Sequence, residues 1–253
     1  MTELISHPEW LLLVLAPVFF LCMLGEYWVA LRHGKLGDNA RYYVPEVLCN
    51  FTLAGLHQAA DLLTGLLIAK VYLWWFGWRL FDIEMSVGLF LLLMVAQDFC
   101  YYWFHRASHR VRWMWAAHVV HHSSERMNFS TAFRQSLMYP LAGMWLFWLP
   151  LVVIGFPPQW VVFVVLLNLG LQFFVHTQWI KTLGPVEWIF NTPSLPKPVN
   201  SFNPLVVTFA EWQQMWRDAT QPGLSFRQRW QCLFAPPEQA QGHTTDVEAS
   251  RER

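Results

Sequence analysis

The sequence predicts an all-α, polytopic membrane helix bundle of about five spans, with a histidine-rich helical cap on its cytoplasmic side. Three observations predict it. Hydrophobic residues make up 55% of the chain and charged residues only 13%, far from the balance of a water-soluble domain. Apolar stretches long enough to approach or cross the hydrocarbon layer fall near 10–30, 47–76, 87–104, 137–155 and 158–177. Five of the ten histidines crowd between residues 105 and 122, directly after the third stretch.

The first stretch, Trp10 to Ala30, has neither a basic leader nor a small-residue cleavage site, so it reads as an anchor that stays. The second carries Asn50, His57, Gln58 and Asp61, which predicts a bent or interior-facing helix. Between the fourth and fifth, Gly155-Phe156-Pro157-Pro158 leaves room only for a tight reversal, which makes them an antiparallel hairpin. Arg32, Lys35 and Arg41 follow the first span, and Arg106, Arg110, Arg112, Arg126 and Arg134 follow the third. Both loops, and with five spans the C-terminal region, are then expected to face the cytoplasm. Trp74, Trp75, Trp78 and Phe81, beside Arg79, form an interfacial aromatic belt on the opposite side.

This gives a membrane domain over 1–183, a cytoplasmic C-terminal segment over 184–235 and a hydrophilic, disordered tail over 236–253. Basic and acidic residues balance at 17 each, so the broad positive field of a nucleic acid binder is absent. Cys22, Cys49, Cys100 and Cys232 are far apart, without a CxxC pair, and read as packing residues.

The histidines carry the chemistry. Residues three or four apart share a helix face, so His105 and His109 point together, as do His118, His121 and His122. Imidazole suits iron, zinc, copper and nickel, and the thiolates of a structural zinc site are missing, which leaves iron or zinc. Asp98 and Tyr102, on the face of His105, are placed to orient a ligating ring through its second nitrogen. His176 ends the last span with Gln172 one turn earlier, and if the third and fifth spans end on one side it meets His105 and His109 there. No HExxH motif is present, which ranks a zinc-dependent membrane hydrolase last.

The runs DFCYYWFHRASHR and MWAAHVVHHSSERMNFSTAFRQS resemble the first two histidine boxes of the fatty acid hydroxylase and sterol desaturase superfamily. Within it, HHSSE, N-x-STA-x-RQS, the Q-x3-HT at 172–177 and GP-x-E-x3-NTPS at 184–194 look most like the alkylglycerol monooxygenase branch. The resemblance implies a membrane di-iron oxygenase that uses dioxygen and two electrons to hydroxylate or desaturate a lipid chain, with a reduced pterin or another donor supplying the electrons. It implies His105, His109, His118, His121, His122 and His176 as iron ligands, and it raises Glu125 to a supporting role beside Asp98 and Tyr102.

One departure matters. In these families NTPS leads into a third box of the type HHRVHH, whereas here it runs into LPKPVNSFNPL, and no histidine occurs between His176 and His243. KPVNSFNP and WQQMWRD resemble what relatives show several dozen residues after that box, so the pattern reads as an internal deletion joined near Ser194 and Leu195. The sequence therefore predicts an oxygenase by descent whose third set of ligands is missing. The alternative is a non-catalytic remnant or deletion product.

Overall fold

The structure, a computed structural model, describes residues 5–33, 40–178 and 202–237. The expected join near Ser194 and the tail beyond residue 237 lie outside the described residues. Within them the fold is helical: α1 (Leu11–His33), α2 (Val44–Phe76), α3 (Val87–Arg110), α4 (Arg112–His118), α5 (Tyr139–Ala142), α6 (Leu149–Ile154), α7 (Pro158–Gln172), α8 (Pro204–Thr220) and α9 (Phe226–Phe234). Short 3-10 helices over His121–Ser123, Phe129–Phe133, Met144–Phe147 and Phe173–Val175 fill the connections.

Among the described residues, four helices are long and apolar enough to cross a membrane, rather than about five: Leu11–Arg32, Val44–Phe76, Val87–Arg110 and Pro158–Val175. The expected span over 137–155 is broken into α5, a 3-10 turn and α6. Pro140 and Pro150 sit in the first turns of α5 and α6, and Gly143 between the pieces has a left-handed φ of 83°. Yet the stretch still traverses the bundle. It begins at Tyr139, whose hydroxyl meets His118, and ends where the carbonyls of Val153 and Ile154 accept from Leu80 and Phe81 at the opposite end of α3. A backbone carbonyl exposed by the breaks, that of Trp145, accepts from the Tyr72 hydroxyl at 2.6 Å.

The predicted reversal at 155–158 is observed. Gly155 has a φ of 130°, and a Cβ there would collide with the Phe81 carbonyl, so both conformation and space demand glycine. As expected for an interior-facing second span, α2 turns Asn50 and His57 inward, whereas Gln58 is exposed. Ser86 caps α3 by accepting from the Leu89 N–H. Trp74 in the last turn of α2, and Trp78 and Phe81 just beyond it, are exposed. The four cysteines are free, Cys49 and Cys232 buried and the other two partly so.

Two arginines counted as loop charges are not loop charges at all. Arg134 and Arg112 are buried, at 1% and 0% exposure. Arg134 donates to the Val120 carbonyl, Ser123 and Asn50, fastening the loop after the second histidine box onto α2. Arg112 sits between the two boxes and fastens α4 to the C-terminal helix pair. Its Nε donates to Glu211 at 3.0 Å, its Nη1 to the Cys232 carbonyl, and its Nη2 lies 2.7 Å from Asp218 as an ion pair without hydrogen-bond alignment. Trp113 packs edge-on to Trp212, extending the contact.

Removing one partner of such a buried pair leaves a carboxylate without a counter-charge, at a cost of about 3 kcal/mol or more. Arg112→Ala is expected to lower the melting temperature and to open the region around 204–234 to limited proteolysis first. Unchanged melting and cleavage would show that the triad does not hold the C-terminal helices.

Candidate metal centre

The site is built from a broken helix. Val111 adopts an extended conformation (φ −115°, ψ 116°) between α3 and α4, so the chain turns and α4 packs back against α3. That break brings the first histidine pair, one turn before the end of α3, against the second box. His105, His109, His118 and His122 offer ligand nitrogens that all lie within 4.8 Å of one another. The Nε2 atoms of His105 and His109 are 3.2 Å apart, and those of His118 and His122 are 3.0 Å apart. Two imidazole nitrogens held at about 2.1 Å from one ion at a right angle stand about 3 Å apart, which is the spacing observed.

His121 takes another path. Helix α4 ends at His118, and a turn and a 3-10 helix carry His121 and His122, so the second box is not one helical face. His121 points to His176, just after α7, with an Nε2 to Nε2 distance of 3.3 Å. The six predicted histidines thus gather in one region as a group of four and a pair, with the His118 and His121 ring centroids 5.9 Å apart.

The outer nitrogens explain why the inner ones are bare. His121 Nδ1 lies 3.2 Å from the Arg134 carbonyl, and His176 Nδ1 lies 2.8 Å from the Gln172 carbonyl. A carbonyl oxygen only accepts, so each Nδ1 carries the proton and each Nε2 presents a lone pair. Burial pushes both imidazoles well toward the neutral form, and neighbouring histidines add to the effect on His121. Two neutral lone pairs facing each other at 3.3 Å repel unless a cation lies between them. His118 Nδ1 meets the Tyr139 hydroxyl at 3.0 Å, and burial depresses His118 strongly and His122 to about 3. A ring anchored through one nitrogen and bare at the other is the arrangement of a metal-ligating histidine.

The other predicted residues are placed differently. Asp98 accepts from Asn168 of α7 at 3.3 Å, and Asn168 in turn accepts from the Gln172 amide. This chain reaches the residue whose carbonyl holds His176, not the ring of His105. Tyr102 is exposed and accepts from Arg106. Glu125 is exposed. The partners actually found, Tyr139 and the carbonyls of Arg134 and Gln172, were not singled out from sequence. Only Gln172, four residues before His176, had a local signal.

The fatty acid hydroxylase family matches residues 90–197, a segment that contains all six histidines. Over this segment, a little under half of its length, the chain is similar to that family. Among its relatives, the alkylglycerol monooxygenase of Xenopus tropicalis is 37% identical over 159 residues, covering 60% of this chain and 35% of the frog protein. The human alkylglycerol monooxygenase is 43% identical over 129 residues, 51% of this chain and 28% of the human protein, and that of Danio rerio is 41% identical over 122 residues, 48% and 27%. The matched part therefore spans about a third of the length of these relatives. No solved structure matches the chain. Within the family frame, the histidine cluster fits an iron site: its donors are all imidazole, neutral and turned inward.

Depressed imidazoles make the metal-free protein sensitive to acid. Below the ordinary value of 6.5 the unfolded chain takes up protons that the buried rings refuse, so stability falls as pH drops from 6.5 toward about 3. Thermal melting of metal-stripped protein is expected to fall through this window, and more gently in His118→Ala. An identical slope in the variant would contradict the burial account.

Proposed function

We propose that this chain is an integral membrane oxygenase of the di-iron type that inserts oxygen into a lipid chain. The observation that carries the reading is the convergence of six imidazoles with their Nε2 atoms facing one another in three pairs, inside the segment matched to the fatty acid hydroxylase family. His105, His109, His118 and His122 would hold one iron ion, and His121 and His176 would contribute to a second. When bound, iron supplies the reduction of dioxygen with two external electrons, so that one oxygen atom enters a C–H bond and the other leaves as water.

The chain's own residues do the rest. The carbonyls of Arg134 and Gln172 fix the tautomer and direction of His121 and His176, and the Tyr139 hydroxyl holds the direction of His118. Phe104, packed against His118, Tyr139 and Trp148, and Trp115, against His109 and His122, shield the cluster from water. An open apolar groove of about 580 Å³, lined by Trp113, Met138, Leu141, Trp212 and Trp216, offers a surface for the lipid chain, and Met138 and Leu141 flank Tyr139 in sequence. The relatives' name, alkylglycerol monooxygenase, supports an ether lipid as substrate; a reduced pterin as electron donor, and a site and C-terminal region facing the cytoplasm, belong to the proposal on the sequence pattern alone.

A second reading is favoured by one observation: no histidine occurs between His176 and His243, so the ligands of a third box are missing. On that reading the chain is a remnant that binds metal without turning over.

Protein purified from iron-replete cells is expected to hold at least about half an equivalent of iron, with His118→Ala near background and His57→Ala, outside the cluster, retaining it. Incubation with ether and acyl lipids, a reductant and isotopically labelled dioxygen then separates the two readings. Label in the lipid supports the oxygenase; iron without label supports the remnant; no metal in the wild type overturns both.

A further inference from the structure

Helix α1 lies before the family segment, and its buried Glu26 has no basic residue among its hydrogen-bond partners. A carboxylate removed from water in this way is costly unless strong donors surround it. Three do. Oε2 accepts from the Tyr42 hydroxyl at 2.5 Å and from the Phe129 backbone N–H at 2.8 Å, and Oε1 accepts from the Thr177 hydroxyl at 2.5 Å.

Two of these donors lead to the His121–His176 pair from opposite sides. Thr177 follows His176 directly. Phe129 opens the 3-10 helix Phe129–Phe133, whose next residue, Arg134, provides the carbonyl that fixes His121 Nδ1. Stacking tightens the same clamp: the Phe173 ring lies 4.8 Å from Phe129 and 4.4 Å from Phe19 of α1, between centroids. None of the three donors is followed or preceded in sequence by a histidine of the group of four. That group is assembled instead within residues 105–122, around the break at Val111.

We infer that Glu26 is a positioning residue that sets His121 against His176, so that the second metal position depends on α1 while the four-histidine position does not. The inference rests on the reading of the six histidines as metal ligands. It predicts two unequal positions: one preorganised by local sequence, and one held by a long-range carboxylate bridge between α1, the Phe129 turn and the end of α7.

The test is titration of metal-stripped full-length protein in detergent with cobalt(II), following the visible absorption of the bound ion. Wild type is expected to take up a tight equivalent and then a weaker second one with its own spectrum. In Glu26→Ala the first equivalent stays and the second weakens by about tenfold or more, as found when partners of metal ligands are removed. Glu26→Gln, which keeps one acceptor oxygen and the side-chain shape, is expected to lie between them and guards against simple misfolding. Val161→Ala, a fully buried change in α7 away from the clamp, is the control for general loss of stability. Two equivalents bound as tightly by Glu26→Ala as by wild type would overturn the inference, as would equal loss in Val161→Ala. A single equivalent in wild type also overturns it while leaving the metal reading intact, whereas no cobalt uptake at all removes that reading itself.

Discussion

The structure depends on a repulsion that the chain has arranged for itself. Imidazoles are brought together in a buried region with their Nε2 atoms facing one another at 3.0 to 3.3 Å in three separate pairs, and in the His121–His176 pair both face as lone pairs. Left alone, the His121–His176 pair is unfavourable, because both Nδ1 protons are directed to carbonyl oxygens and burial keeps the rings neutral. The chain tolerates it because the outer nitrogens are anchored and because the surrounding helices fix the backbone. A cation at the centre turns the same geometry from strain into coordination, which is why the arrangement is informative about function as well as fold.

Much of the surrounding architecture reads as support for that geometry. The extended residue Val111 folds α4 back onto α3, and Arg112, immediately after it, fastens the new direction to α8 and α9 through Glu211 and Asp218. Arg134 does the equivalent for the loop after the second box, tying it to Asn50 of α2. Glu46 of α2 also accepts from Ser124 and pairs with Arg126 in that loop. Charges placed inside an apolar bundle are expensive unless paired, so these networks concentrate binding energy on the segments that carry the ligands.

The legible parts of this protein were those written in short-range spacing. The i,i+4 relation of His105 to His109 and of His118 to His122 survives directly as facing pairs, and the glycine-proline reversal at 155–158 is a local steric matter. Hydropathy alone misjudged 137–155, because an average over apolar residues does not register where Pro140, Gly143 and Pro150 interrupt the helix. Arg112 and Arg134 were misread for a different reason. Their partners lie 99 and 84 residues away along the chain, so nothing near them in sequence signals burial. His121 was grouped with its neighbours because a continuous helix was assumed, and the change to a 3-10 turn is what sends it to His176 instead. Tyr139 and Glu26 support the site from distances that periodicity does not encode.

The division into four and two also bears on the missing third box. On the proposed reading the first group would draw its ligands from one short segment, and its four imidazoles match the number that a single four-coordinate ion takes. The pair draws on the end of α7 and on a turn held by α1, and two imidazoles alone leave most of an ion's coordination to other donors. In the family pattern the third box follows the NTPS motif, which here begins fifteen residues after His176 along the chain. On the proposed metal reading, absence of that box would fall nearest in sequence to the His121–His176 position and would leave the one within 105–122 untouched. What distinguishes the two positions on that reading is how they are held: four imidazoles around one local chain break, and two joined by contacts from distant helices.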